Sequence, residues 1–498
     1  MARRSEAPQR GERRIGIIGA GPGGIATAIR MLEAGHDDVV LLEKASGVGG
    51  TWWHNRYPGL SCDIPSHLYS FSFAPKVDWS RPYGSRDEIH AYMDEVVDRF
   101  ALRDRIRFDT EVQSATWDDE RAVWNVACAN GATFEFDVLV AGLGMFNELH
   151  WPEIPGLDSF AGTSFHSARW DWDHDLTGER VGVIGSAASA VQFIPEIAPL
   201  VGHLTVFQRA ANWVLPKEDT PYTAEQLDHF RAHPEDVATS RQTIFDRVDP
   251  LISFHNDDML RLSTEAGLRN LEVVEDPELR RRLKPTGPYG CQRPLVSNDY
   301  YPTFNRPNVE LVTETIDRIT RAGVVTVDGV EHEFDTLIIA TGFQTTKFLS
   351  AIDVTGRDGV ELEKAWADGA RAYLGITTAG FPNLFMLYGP NTNADSIVTM
   401  IEYQVDHVLR QIQRIASEDL AWIDVKSGPM AEYNDEIQRE LEAIAMWHTD
   451  CSDYYRAPSG RIVTQWPRSM PALEEALSGL DEDAYEVASR SPARRVRG

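Results

Sequence analysis

Apolar residues along the chain fall into short uninterrupted runs that alternate with stretches of helical period. The run Arg14-Ile-Gly-Ile-Ile-Gly19 leads into Ala-Gly-Pro-Gly-Gly24, and a helical pattern then continues through Leu32. A second run, Val39-Val-Leu-Leu42, closes on Glu43. Apolar run, glycine turn, amphipathic stretch and second apolar run predict a strand–helix–strand unit with parallel strands. The pattern returns as Val181-Gly-Val-Ile-Gly185, a helix through about Ile197, and Leu204-Thr-Val-Phe-Gln208 ending at Arg209. Phe136–Gly142 and Phe334–Gly342 resemble each other, and each reads as a buried strand delivering a glycine turn.

Two copies of one unit, the second interrupting the first, predict an α/β fold with two Rossmann-like dinucleotide-binding domains. The first domain is expected in two parts, residues 1–150 and 341–485, and the second in residues 151–215 and 286–340. Residues 216–285 are polar, charged and punctuated by proline, which predicts a helical insertion placed to cover a substrate site. Residues 486–498 are expected to form a disordered tail.

Composition narrows the picture. With 498 residues the chain exceeds one ordinary core, and 42% hydrophobic with 25% charged residues fits a soluble globular protein. A formal charge of −28 argues against a nucleic-acid surface, which needs a clustered basic face. Cys62, Cys128, Cys291 and Cys451 lie far apart with no CxxC pair. That spacing predicts free thiols in a reducing compartment, with no zinc site and no redox-active disulfide. Arg3, Arg4, Arg13 and Arg14 suggest a targeting segment, but five glycines from Gly16 to Gly24 break the apolar run a signal peptide needs. No stretch approaches the roughly 20 apolar residues of a membrane span. The expectation is a cytoplasmic protein without membrane, nucleic-acid or metal partners; the oligomeric state stays open.

The two turns carry the first chemistry. Gly19-x-Gly21-x-x-Gly24 has the spacing in which one glycine makes the turn, one admits a pyrophosphate and one lets helix and strand pack. The second copy, Gly185-Ser-Ala-Ala-Ser-Ala190, keeps only the first glycine. Glu43 lies 24 positions after Gly19 (43 − 19), and Arg209 lies 24 after Gly185 (209 − 185). A carboxylate there bonds a ribose hydroxyl and repels a 2′-phosphate, whereas arginine accepts that phosphate. Glu43 therefore selects FAD or NAD, Arg209 selects NADP, and the pair points to a flavoenzyme reduced by NADPH.

Two segments then match a named family. Gly49-Gly-Thr-Trp52-Trp-His-Asn-Arg-Tyr57-Pro58-Gly59-Leu-Ser-Cys-Asp63 and Phe160-Ala-Gly162-Thr-Ser-Phe-His166-Ser-Ala-Arg-Trp170-Asp171 resemble the two signatures of type I Baeyer–Villiger monooxygenases. Trp170 stands where related heteroatom-oxidising flavin monooxygenases usually carry tyrosine. The resemblance runs from Ile15 to about Trp466 and implies an FAD domain built from both chain ends with an NADPH domain inserted. It implies FAD contacts at Gly19, Gly21, Gly24, Glu43, Thr51, Trp52, Asp63 and Tyr69, with Val112 near the adenine. For NADPH it implies Gly185, Ser186, Ser189, Gln192, Arg209, Gln292 and Arg293. Phe160, Gly162, His166, Trp170 and Asp171 form the motif of the linker between domains, where His166 is read as structural. Gly389-Pro-Asn391 resembles a C-terminal piece of the flavin pocket.

The reaction implied is insertion of one oxygen from O2 beside a ketone carbonyl, giving an ester or lactone, through a flavin C4a-peroxide. Such chemistry needs a fixed cation beside developing negative charge, which arginine supplies without reorganisation. Arg293, with Tyr301 as the ninth residue counting from it, resembles the family's catalytic arginine. Asp63 resembles its acidic partner, expected to form a buried pair with it. Where the family commonly carries lysine before that arginine, this chain has Gln292, which leaves Arg209 as the main phosphate anchor. Oxygenation of sulfur or nitrogen in the same fold is the alternative. A flavin disulfide reductase would need a nearby cysteine pair.

Overall fold

The computed structural model describes residues 13–252, 256–448 and 455–490. Arg3, Arg4 and Cys451 lie outside that set, as do residues 491–498. Two five-stranded parallel sheets organise it. In the first the strand order is Leu384–Met386, Val138–Ala141, Ile15–Ile18, Val39–Leu42, Ile106–Arg107. In the second it is Val309–Val312, His203–Phe207, Arg180–Ile184, Thr336–Ile339, Thr163–His166. Ile15–Ile18, Val138–Ala141 and Thr336–Ile339 are buried along their whole length. Strands covered on both faces read as continuous apolar runs for this reason. The first sheet is completed only by Leu384–Met386, so it draws on both sides of the second.

The described residues of 216–285 form four helices, Ala224–Ala232, Pro234–Ile252, Asp257–Leu271 and Pro277–Leu283. A capping box starts the first of them, Thr223 accepting from Gln226 N while the Gln226 side chain accepts from Thr223 N. Arg241 ties this insertion to the first sheet's side of the molecule. Its guanidinium donates to the carbonyls of Leu68 and Ser70 at 2.9 and 2.5 Å and pairs with Glu402 at 3.2 Å.

Two expectations change, on the tail and on the cysteines, and Arg13 proves to be internal. Residues Tyr485–Ser489 are a strand, not tail, paired antiparallel with Leu420–Val425. Tyr485 is buried and its hydroxyl meets Thr377 at 3.1 Å, a contact that basic composition further on conceals. Cys291 is disulfide-bonded, while Cys62 and Cys128 are free thiols; sequence spacing does not report which distant cysteines the fold brings together. Arg13 is 1% exposed, donating to the carbonyls of Ile415 and Leu420, and is a core residue.

Candidate active site

A cavity of about 130 Å³, open on one side to solvent, lies beside the first glycine turn. Gly19, Gly21, Glu43, Thr51, Trp52, Tyr69 and Val112 all line it. The helix Pro22–Glu33 begins here with Gly21 as a cap that has no side chain to engage its first N–H groups, which leaves them for an anion. Gly24 serves packing instead: a Cβ there would stand 1.9 Å from the carbonyl oxygen of Gly19. Glu43 accepts from the N–H groups of Ala20 at 2.6 Å and Ala45 at 2.8 Å. Burial lifts its carboxyl above the ordinary range while those donors pull it back. A carboxylate fixed in this way suits a ribose hydroxyl. Trp52 donates from its indole to the Tyr69 hydroxyl at 3.1 Å, with the rings edge to face. The two aromatics therefore brace each other and wall the cavity at once.

The second turn follows the strand Arg180–Ile184. Its helix, Ala188–Ile197, also begins without a side-chain cap, at Ala187. Ala190 takes the place of Gly24 and is fully buried with its methyl group, so this helix stands far enough from its turn to hold one extra carbon. Ser186 is buried, and its carbonyl accepts from Asn212 at 3.1 Å. The hydroxyls of Ser189 and Ser167 meet at 3.1 Å. Arg209 is exposed, two residues past the strand His203–Phe207.

Gln192, expected at the cofactor, hydrogen-bonds the Gly49–Asp63 motif. Its amide oxygen accepts from the Tyr57 hydroxyl at 3.1 Å and from Ser61 N at 3.4 Å, and its nitrogen donates to the Ser61 carbonyl at 3.0 Å. It therefore sews the Gly49–Asp63 motif to the second sheet's first helix. Gly59 allows the approach, since a Cβ at its φ of +75° would stand 2.7 Å from the Gln192 carbonyl.

That motif delivers Asp63 to Arg293. The arginine enters from the other domain, on a loop fixed where Leu295–Val296 pairs with Val214–Leu215 and where Trp447 donates to the Gly290 carbonyl at 3.2 Å. Its Nε and Nη2 reach Asp63 Oδ2 at 2.9 and 2.7 Å. Both side chains keep 30% of their exposure, so the pair is half-open and not buried as expected. Gln292 beside it is half-buried. Tyr301 is buried and its hydroxyl points to the Asn212 carbonyl at 3.5 Å. The Asp63 carboxylate thus orients a cation that stays partly exposed.

A family profile described as pyridine nucleotide-disulphide oxidoreductase matches residues 16–250. A Baeyer-Villiger monooxygenase of Streptomyces coelicolor is 37% identical over 97% of this chain and 94% of its own length. The chain belongs to the Baeyer–Villiger monooxygenase family. It also resembles a cyclohexanone monooxygenase from Rhodococcus sp. Phi1 bound to NADP+, with 31% identity, a TM-score of 0.86, and 97% and 100% of the two chains covered. A structure of OTEMO in complex with FAD and NADP matches with the same TM-score of 0.86 at 27% identity, over 96% of this chain and 100% of that one.

In this monooxygenase the Phe160–Asp171 motif is packed through its aromatic groups. His166 closes the strand Thr163–His166 opposite Ile339. Its Nδ1 accepts from Ala168 N at 3.1 Å, and burial, with Arg169 nearby, pushes it down to about 4. Neutral at ordinary pH, it holds a turn and carries no charge. Trp170 packs edge-on against Phe165 and tilted on Phe193, with centroids 5.2 and 5.1 Å away. Phe160 packs on the second sheet. Gly162 has no room for a side chain, a Cβ there falling 2.3 Å from the Asp335 carbonyl. Asp171 accepts from Asp173 N at 3.1 Å, turning the chain outward.

Sequence reasoning missed several lining residues. Lys44, Tyr388, Ile397 and Ile401 complete the first cavity, the last two on the helix Ile397–Ser417. Asn391 does not line it; its amide donates to the carbonyls of Ile462 and Gln465 at 2.9 and 3.0 Å and fixes the loop behind. No helix among the described residues is long and apolar enough to cross a membrane. Nor do they hold a cluster of three His, Cys, Asp or Glu side chains that would bind a metal.

Proposed function

We propose that the enzyme oxidises a ketone to an ester or lactone, with FAD in the first cavity and NADPH at the second turn. Bound there, the flavin supplies oxygen activation and NADPH supplies the electrons. The observation that carries the reading is the Arg293–Asp63 pair, one partner from each domain, in a chain alike from end to end to ketone-oxidising relatives. Arg293 presents N–H donors to the ketone oxygen, which becomes anionic as its carbon turns tetrahedral. Asp63 holds the guanidinium in one direction and keeps its charge partly balanced between turnovers. Trp52 and Tyr69 exclude water from the flavin side. Arg209 takes the 2′-phosphate, and Gln192, bonded to Tyr57 and Ser61, stands at the NADPH side of the second turn. On this reading residues 1–150 and 341–485 form the FAD domain, 151–215 and 286–340 the NADPH domain, and 216–285 the substrate cover.

The test is NADPH oxidation by the FAD-loaded enzyme against a panel of cyclic, aromatic and linear ketones and of sulfides, with products identified. Esters or lactones are expected. Sulfoxides alone would transfer the chain to heteroatom oxygenation.

A further inference from the structure

A carboxyl group without a partner lies deep in the seam between the helical insertion and the start of the helix Ile397–Ser417. Asp395 is 2% exposed, and neither of its carboxyl oxygens meets a hydrogen-bond partner. Buried carboxyl oxygens are ordinarily satisfied, so such a group calls for an explanation. Its neighbours along the chain are engaged. Asn393 accepts from the Tyr388 hydroxyl at 2.6 Å and donates to the Gln465 side chain. Ser396 donates to the Leu68 carbonyl at 3.3 Å, and Thr399 accepts from Arg241 at 3.1 Å.

The groups that face Asp395 do not complete it. Arg241 and Arg293 both act on it electrostatically, but Arg241 is paired with Glu402 at 3.2 Å and Arg293 with Asp63 at 2.7 Å. Asp249, on the insertion, adds like charge, and its own oxygen accepts from Met470 N at 2.8 Å. A helix-capping role would place a carboxyl oxygen on a first-turn N–H; neither oxygen reaches one. Burial, with Asp249 nearby, pushes the group up to about 7. Both protonation states are thus present at ordinary pH. Asp395 therefore stands within the field of Arg293 with its hydrogen-bonding capacity unspent.

We propose that Asp395 is a specificity-determining residue that receives a hydroxyl group carried by the ketone substrate away from its carbonyl. The proposal rests on the ketone-oxidising reading and names the substrate class within it. A hydroxyl both donates and accepts, so it satisfies the carboxyl whether protonated or ionised. An ammonium group needs the ionised form, which burial disfavours, and enters the field of two guanidinium groups. A plain alkyl group leaves the carboxyl unpartnered, the situation in which a hydrogen-bonding site discriminates most strongly.

The experiment uses the FAD-loaded enzyme and two matched probe series, cyclohexanones and decalones. Each series carries a methyl, hydroxyl or ammonium group at the ring position farthest from the carbonyl. Binding is read from the change in flavin absorption of the oxidised enzyme, without turnover, and products are identified separately. The parent enzyme is expected to bind the hydroxyl member of at least one series about tenfold or more tighter than the methyl member. In Asp395→Leu that ratio is expected to fall to near one while methyl-ketone binding holds or improves. Asp395→Asn, close to the parent in shape, is expected to keep only part of the preference and serves alone if the leucine variant does not fold. No hydroxyl preference in the parent, preference for ammonium, or an unchanged ratio in the folded variants would overturn the assignment. Preserved hydroxyl selectivity with no ester or lactone from any ketone would sink the ketone-oxidising reading and leave the hydroxyl site standing.

Discussion

Arg293 directs two nitrogens, Nε and Nη2, at the single oxygen Oδ2 of Asp63, at 2.9 and 2.7 Å. Both bonds converge on Oδ2 and leave Oδ1 outside them, with both side chains 30% exposed. That geometry gives direction without sealing the cation away.

Replacing Arg293 by alanine should therefore leave flavin reduction by NADPH measurable while ester formation falls by roughly two powers of ten or more. Arg293→Lys should rescue little, because a point-like ammonium cannot keep the planar fork. Stopped-flow reduction and product analysis separate the two steps; normal ester formation in Arg293→Ala would refute the role.

Arg209→Ala should raise the Michaelis constant for NADPH by roughly 10–100-fold, the worth of a charge-assisted phosphate contact. The constant for NADH should move little. Gln292 brings no second positive charge, so the phosphate has no obvious substitute. Equal effects on both coenzymes would remove Arg209 from the phosphate site.

Gln192→Leu deletes three hydrogen bonds to Tyr57 and Ser61 and leaves the buried-side Ser61 groups unpaired. A loss of about 2 kcal/mol is expected, read as a lower urea midpoint for release of bound FAD. An unaltered midpoint would show that the Gly49–Asp63 motif is held by other contacts.

Acid stability follows from buried histidines. His67, His166 and His407 are each pushed down to about 4 by burial. Their ordinary value is 6.5, so between pH 6.5 and 4 the unfolded chain binds protons that the folded chain refuses. Each group therefore removes stability as pH falls through that window, by up to roughly 1.4 kcal/mol per pH unit. Asp395 and Asp424, pushed up to about 7, act the other way, binding protons when folded and gaining stability as pH falls below 7. His54 is likewise pushed down to about 4 and Glu43, Asp249 and Glu402 are raised by burial, so the two sets oppose each other, and one histidine's share is read from the pH slope of the denaturation midpoint that its replacement removes. His407→Gln should reduce the stability lost as pH falls from 6.5 to 4, since a neutral amide replaces a ring that meets the backbone of Leu477 and Gly479 and the Gln411 side chain; an unchanged slope would exclude it as a source.

The reading of the chain succeeded where chemistry is local. Gly19 and Glu43 are placed by strand, turn and helix within one short stretch, and Trp52, implied by the family resemblance, joins them on one cavity wall. Gln192's place on the second helix is legible for the same reason, but its partners Tyr57 and Ser61, 135 and 131 positions away, are not. Asp395 left no signal, because an unpartnered carboxyl is defined by what the insertion and the neighbouring loops fail to provide. The strand Tyr485–Ser489 escaped notice because it gains its order from Leu420–Val425.

The sequence by itself determined the two parallel-sheet units, their interruption one by the other, and the family, because hydrophobic period and turn chemistry act over a few residues. Only the tertiary structure decided that Asp63 and Arg293, 230 positions apart, meet half-exposed, that Cys291 is disulfide-bonded, and that Asp395 is stranded among paired cations. Those outcomes depend on which loops pack together and how much water they expel, and that is a property of the assembled surfaces.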